Sequence, residues 1–171
     1  VLYISYNTQP GWAATVPLRD LLTEHAEVMG VSGRGIVSRI DEALAFVDKL
    51  MAVNPAYARV NPQVLERLTK LKEYDRHYLA HEYFNRDWEP LYFTEVAELL
   101  RTAGLRHACP AQLRDHLDAL NLTDGQRRLL GEIADPGLRE TVRDFLTNVQ
   151  VRRDYWVRDT QRTTYKTQNL Q

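Results

Sequence analysis

Six residues at the start of the chain, Val1 to Tyr6 (VLYISY), restrict its fold more than any other segment. They mix β-branched and aromatic side chains in a short apolar run, the pattern of a buried strand. Pro10 and Gly11 stop it, because Pro10 lacks a ladder N–H and Gly11 permits positive φ. A strand is not stable alone, since its backbone edges need partners. No second run of comparable strength follows nearby. Either the strand pairs with the short run Tyr155-Trp156-Val157, or its sheet lies outside these residues. The chain opens on Val1 rather than a methionine and is read as cut or processed from something longer.

From Pro17 the apolar period changes to 3.6 residues. Leu18, Leu21, Leu22 and Val28 or Met29 form a first stripe, with Gly30 as its expected left-handed stop. After a flexible Ser32-Gly33-Arg34-Gly35, a second helix carries Ile36, Val37, Ile40, Leu44, Val47 and Met51, closed by Asn54-Pro55. A long third helix is expected from Pro62 to about Phe84, with Val64, Leu65, Leu68, Leu71, Tyr78 and Leu79 inward. Thr94 is expected to cap a fourth, burying Val96, Leu99 and Leu100 and ending at Gly104. Leu105 to Ala108 reads as a short extended piece, and Pro110 as the start of a fifth helix through Leu113, Leu117 and Leu120.

Thr123 and Gln126 make a capping-box pair ahead of Leu129, Leu130 and Ile133. Asp135-Pro136 starts a last helix with the stripe Leu138, Val142, Phe145, Leu146 and Val149. The polar segment Thr160 to Gln171 lacks periodicity and is expected to fray. The expected fold class is mainly α: an irregular bundle of about seven helices with one N-terminal β-strand and a short C-terminal strand.

Composition narrows the function. Lys plus Arg number 22 against 23 Asp plus Glu, a formal charge of -1, so no global field draws the chain to nucleic acid or an anionic membrane. Cys109 is the only cysteine, which excludes an internal disulfide and a zinc site built on thiolates. A reducing, cytoplasmic setting is the natural expectation. No apolar run approaches the roughly 20 residues needed to span a bilayer.

Three groups of residues invite a chemical reading. His77 and His81 stand at i and i+4, a workable geometry for two metal ligands. The residue after His77 is Tyr78 rather than glutamate, so the metalloprotease pattern is absent and surface histidines are the plainer reading. Tyr74, Tyr78, Tyr83, Phe84, Trp88, Tyr92 and Phe93 crowd one stretch, which reads as packing or as a contact surface for a partner or substrate. Arg139, Arg143, Arg152, Arg153, Arg158, Arg162 and Lys166 are interleaved with Glu140, Asp144, Asp154 and Asp159, a pattern read as a solvated, salt-bridged helix face. No GxSxG elbow, P-loop or GxGxxG is present, and Cys109 beside His107 gives little support for a nucleophile.

YISYNTQPGW at Tyr3 to Trp12, HEYFN at His81 to Asn85 and WEPLYFTEVAELLRTAGL at Trp88 to Leu105 carry a family resemblance. DALNLT at Asp118 to Thr123, EIADPGLRETVRDFL at Glu132 to Leu146 and RRDYWVR ending at Arg158 continue it. In this order the chain, over residues 3 to 158, resembles the predicted methyltransferase regulatory domain. The resemblance implies a bacterial, cytoplasmic module placed C-terminal to a class I, S-adenosylmethionine-dependent methyltransferase domain, its partner in cis. Some proteins of that layout look like protein-lysine methyltransferases, so a protein is an expected methyl acceptor.

The resemblance also implies a division of the chain. Residues 1–12 would be a strand and loop of the methyltransferase sheet, 13–158 a helical regulatory domain, and 159–171 a polar tail. Tyr6, Asn7, Pro10 and Trp12 would lie nearest the acceptor, since ligands sit at strand C-terminal ends in open α/β sheets. His77, Tyr78, His81, Tyr83, Trp88, Tyr92 and Phe93 are the candidate contact surface. No catalytic residue and no metal is assigned. The glycine-rich cofactor loop has no counterpart here, so S-adenosylmethionine is implied for the complete enzyme and not for this chain alone. The contrasting readings are a free-standing helical interaction module that homodimerises, and a metal-dependent hydrolase using His77 and His81.

Overall fold

The computed structural model of the chain describes residues 1–30 and 33–158. Its first half contains β1 (Leu2–Asn7), α1 (Val16–Val28), α2 (Ile36–Ala52), α3 (Ala56–Val60), α4 (Gln63–Glu73) and α5 (Arg76–Glu82). Then come α6 (Phe93–Thr102), β2 (Leu105–Pro110), a 3-10 turn (Leu113–His116), α7 (Asp118–Asn121), α8 (Asp124–Glu132), α9 (Pro136–Thr147) and β3 (Val151–Arg158). The fold is mainly α, as expected. The expected polar tail and part of the expected flexible link at Ser32 lie outside the described residues.

The described residues form two compact units: a sheet unit of residues 1–11 with 91–158, and a helical unit of residues 12–90. The expected single helical domain over 13–158 is instead divided, because the chain returns to the sheet unit at Leu91.

In the sheet unit the strand order is β1-β3-β2, and β3 is antiparallel to both neighbours. The first of the two pairings expected for β1 holds, with Leu2 opposite Trp156 and Tyr6 opposite Arg152. The Leu105 extended piece becomes a full third strand, with a register shift between His107 and Cys109. Alternate residues of β3 face opposite sides, so Arg152, Asp154 and Trp156 are buried while Arg153 and Tyr155 are exposed. Phe93 and Val96 of α6 pack on Trp156, joined by Ile4, Tyr6 and Leu105.

The exit and return points of the sheet unit are adjacent. Asn7 accepts from Leu91 N–H at 3.0 Å, and Gln9 N–H donates to Leu91 O at 3.1 Å. Thr8 is fully buried, donating its N–H to Gln150 O and its hydroxyl to Val149 O. Gly11 has a different purpose from the positive φ expected of it. A Cβ there would lie 2.0 Å from Val149 O, so only glycine lets the two backbones meet.

The helical unit has an apolar core of Leu18, Leu22, Ile40, Leu44, Val47, Val64, Leu68, Leu71 and Leu79, closed by Trp12 and Tyr83. Edge-on ring contacts join Trp12 to Tyr83 at 5.7 Å and to Trp88 at 5.0 Å. The Arg67 guanidinium lies 4.3 Å from the Trp12 ring centroid, and that of Arg19 lies 4.9 Å from Trp88. Arg19 Nε also donates to Tyr83 O at 2.7 Å.

Several expectations are corrected. The long third helix is broken at Tyr74, whose ψ of 147° is extended, and Asp75 restarts it by accepting from His77 and Tyr78 N–H. Tyr92 rather than Thr94 caps α6, and Glu95 accepts from its N–H. Pro110 ends a strand instead of opening a helix, and Leu113, Leu117 and Leu120 are exposed. Leu65, Tyr78, Leu99, Leu138 and Phe145 are also exposed, although each was expected on an inward stripe, and so are both Val28 and Met29, of which one or the other was expected there. Gly30 lacks positive φ; a Cβ there would sit 2.4 Å from Ala26 O.

Candidate functional site

The most chemically loaded part of the sheet unit begins where β3 starts, beside the C-terminal end of β1. The alternation of β3 turns Arg152 and Asp154 inward, and one face of α9 presents Glu140 and Asp144 to them. Arg152 donates Nε to Asp154 Oδ2 at 2.9 Å, Nη1 to Asp144 Oδ1 at 2.8 Å and Nη2 to Glu140 Oε2 at 2.8 Å. Three carboxylates thus surround one guanidinium that is 6% exposed. Tyr6 donates its hydroxyl to Asp154 Oδ2 at 3.1 Å, and His107 Nε2 lies 3.4 Å from Asp154 Oδ1. Arg143 pairs with Glu140 and with Asp118.

Burial governs how protons are held here. It pushes Asp144 up to about 7, against the opposing charge of Arg152. Oδ2 of Asp144 is buried and has no hydrogen-bond partner among the described residues, in keeping with a carboxyl that accepts a proton readily. Burial acts the same way on Asp154, but hydrogen bonds from His107 and Arg152 and the charge of Arg152 outweigh it and hold its carboxyl below the usual range. The Tyr6 phenol is pushed up by burial, reinforced by the Asp154 charge. Arg152 stays protonated: burial works against its charge, and the hydrogen bond to Asp154 with the charges of Asp144 and Asp154 more than offset that. Asp144 is therefore a carboxyl of this cluster that changes charge near neutral pH.

This cluster corrects the reading of the interleaved C-terminal charges as a solvated helix face. The pairing is present, yet half of it is on a strand and buried. The signal in the sequence was the period-2 alternation of Arg152, Asp154 and Trp156, which matches a strand with one covered face. It was hidden because two of the three inward residues are charged.

The sequence-derived candidates separate into different settings. Tyr6 and Asn7 close β1, Tyr6 joins the charge cluster, and Pro10 follows a cis peptide bond in the turn after the strand. Trp12 is 4% exposed in the core of the helical unit, so it does not line an open loop. Of the candidate contact surface, Tyr83 and Phe93 are buried, at 4% and 2%, and present no surface. Trp88 is half-buried against Trp12. His77, Tyr78 and His81 are exposed on the seven-residue α5, and Tyr92 is exposed in the sheet unit, stacked on Phe145. Among the described residues no group of three or more His, Cys, Asp or Glu is placed to hold a metal ion. Nor is any helix long and apolar enough to cross a membrane.

A nucleoside cofactor needs backbone that approaches its ribose and phosphate or carboxylate closely, which glycine provides. The close approach at Gly11 is taken up by Val149, and Gly33 and Gly35 face open space.

Residues 75–158 match the model of the predicted methyltransferase regulatory domain. An uncharacterized protein of Synechocystis, sll1526, is 45% identical over 158 residues, which is 92% of this chain and 31% of that protein. An uncharacterized protein of Rickettsia prowazekii, RP789, is 28% identical over 89% of this chain and 27% of its own length. The chain thus spans about a third or less of these relatives. Among solved structures, PKMT2 from Rickettsia typhi in complex with AdoHcy superposes with a TM-score of 0.67 at 22% identity, covering 91% of this chain and 29% of that one. A second structure of PKMT2 gives 0.64. The likeness runs through both units and shows a shared fold. From its capping residue Asp75 to the end of β3, this chain is a member of the predicted methyltransferase regulatory domain family.

Proposed function

We propose that this chain is the non-catalytic, regulatory or substrate-selecting part of an S-adenosylmethionine-dependent methyltransferase, with β1 an inner strand of a larger sheet. The observation that carries the reading is the sheet topology. β1 and β2 run parallel to one another with β3 antiparallel between them, and β1 is an edge strand among the described residues. Antiparallel strands near the edge of an otherwise parallel sheet are common in doubly wound folds. The exposed face of this sheet carries Tyr3 against Tyr155, their ring centroids 5.8 Å apart and the rings tilted at 58°, apolar area that a second layer would cover. Relatives some three times longer supply the room for the remaining strands.

On this reading the C-terminal end of β1, with Tyr6, Asn7 and Pro10, borders the acceptor, and a protein is the acceptor class. The module orients the acceptor and keeps water out, two contributions that need no reacting group of its own. His77, Tyr78, His81 and Tyr92 are the contact residues that exposure leaves available. The methyltransferase domain is the partner in cis, and the setting is the bacterial cytoplasm.

Hydrogen exchange tests the topology. In a polypeptide carrying a class I methyltransferase domain ahead of Val1, β1 amides facing away from β3 gain protection relative to this chain alone. Equal exchange in both would sink the reading, as would tight calorimetric binding of S-adenosylmethionine by this chain alone. The in-chain pairing of β1 with β3 also suits a free-standing module that homodimerises. Sedimentation separates the two, since a dimer that protects the β1 edge in this chain alone favours the second.

A further inference from the structure

We propose that the cleft bounded by α6, β2 and α9, which borders the charge cluster at Glu140 and His107, is a binding site for a small planar aromatic anion. The cleft has a volume of about 410 Å³, within the range of small-molecule sites. Its base is apolar: Phe93, Ala97, Leu105 and Trp156 line it. The rings are fixed before any ligand arrives. Phe93 and Trp156 stack at 5.8 Å and 21°, and His107 stands edge-on to both at 5.0 and 5.3 Å.

The rim is cationic. Arg101 and Arg139 line the cleft, and its one lining carboxylate, Glu140, is already committed to Arg152 and Arg143. Arg101 is paired with Glu98. Arg139 has no carboxylate partner among the described residues; its Nε and Nη2 both donate to Ile133 O, which holds the guanidinium in place without neutralising it. Further N–H groups of that fork remain for an anion.

A second, independent observation points to a ligand. Trp156 is 1% exposed, and its indole N–H has no acceptor among the described residues. Buried indole N–H groups ordinarily find one, and leaving one unmet costs roughly what a hydrogen bond is worth. A ring seated on the apolar base with an acceptor atom toward Trp156 and its anionic group at Arg139 would meet both needs. An aromatic carboxylate and a nucleoside monophosphate share this chemistry.

Nuclear magnetic resonance of the three tryptophan indole N–H groups tests the site in the whole chain. Phenylpyruvate and adenosine monophosphate are the two probes; benzyl alcohol and inorganic phosphate are the ring-only and charge-only controls. At least one probe is expected to shift the Trp156 resonance saturably while Trp12 and Trp88 stay still, and which probe does so identifies the source. Arg139→Gln should weaken binding about tenfold, and Arg139→Lys less. A Trp156 indole resonance in each ligand-free variant at the position it has in the unaltered chain shows that the sheet unit persists. Arg101→Gln, on the exposed rim, serves if Arg139→Gln does not fold. A Trp156 resonance unmoved by either anion up to about 10 mM would overturn the proposal. So would equal shifts from benzyl alcohol, or binding unchanged in the arginine variants.

Discussion

The helical unit and the sheet unit bury their interiors by different means. Residues 12–90 hide leucine, isoleucine and valine at helical spacing; the buried Arg19 lies over Trp88 and donates to the Tyr83 carbonyl, outside any cluster of buried carboxylates. The sheet unit buries Trp156 and Phe93 beside Arg152, Asp154 and Asp144. An apolar core tolerates small changes in shape, because its contacts are many and individually weak. A buried ion cluster is all-or-none: each charge removed leaves another unpaired where water cannot reach it.

The contrast can be broken most forcefully at Arg152. Arg152→Ala leaves three carboxylates without their guanidinium and should cost about 3–5 kcal/mol, read as a lowered denaturation midpoint at the Trp156 indole resonance. A cost under about 1 kcal/mol would mean that the cluster is hydrated and that the two interiors are less different than described. Leu44→Ala in the helical unit should cost about 2–4 kcal/mol by loss of contact and a residual cavity, with no dependence on pH.

The Asp144 carboxyl separates the units by pH. Its folded value, about 7, lies above the usual 3.8, so the folded state binds the proton more tightly than the unfolded one. Stability contributed in this way is present in acid and is lost as pH rises from about 4 through about 7. Asp144→Asn should flatten that slope in urea titrations at a series of pH values. A slope unchanged in the variant would assign it to another group. The smallest effect belongs to the helix cap. Asp75→Ala removes the acceptor for His77 and Tyr78 N–H and should cost about 1 kcal/mol, confined to α5.

Local chemistry was readable wherever one residue type serves one purpose. Thr123 with Gln126, Asp135 with Leu138, and Gly104 at φ 70° behave as their sequence context implies. The break at Tyr74–Asp75 was not, because the apolar stripe continues through it from Leu71 to Leu79. Only the competition between a continuing helix and a strong aspartate cap decides it. Of the candidate site, the placement of Tyr6 and Asn7 at a strand end was legible, and the burial of Trp12, Tyr83 and Phe93 was not. An aromatic side chain suits a core and a surface equally well until its neighbours are known.

By itself, then, the sequence determined the helical class, the caps Thr123 and Asp135, the N-terminal strand and the family of residues 75–158. These depend on interactions within a few residues or on motifs in order. Tertiary structure alone decided that residues 12–90 leave the sheet unit and that the chain resumes it at Leu91, that β3 lies between β1 and β2, and that charged residues fill an interior. Each of those outcomes joins residues distant in the chain, such as Tyr6 with Asp154 or Gly11 with Val149. Their energies come from desolvation and close approach, which no local pattern encodes.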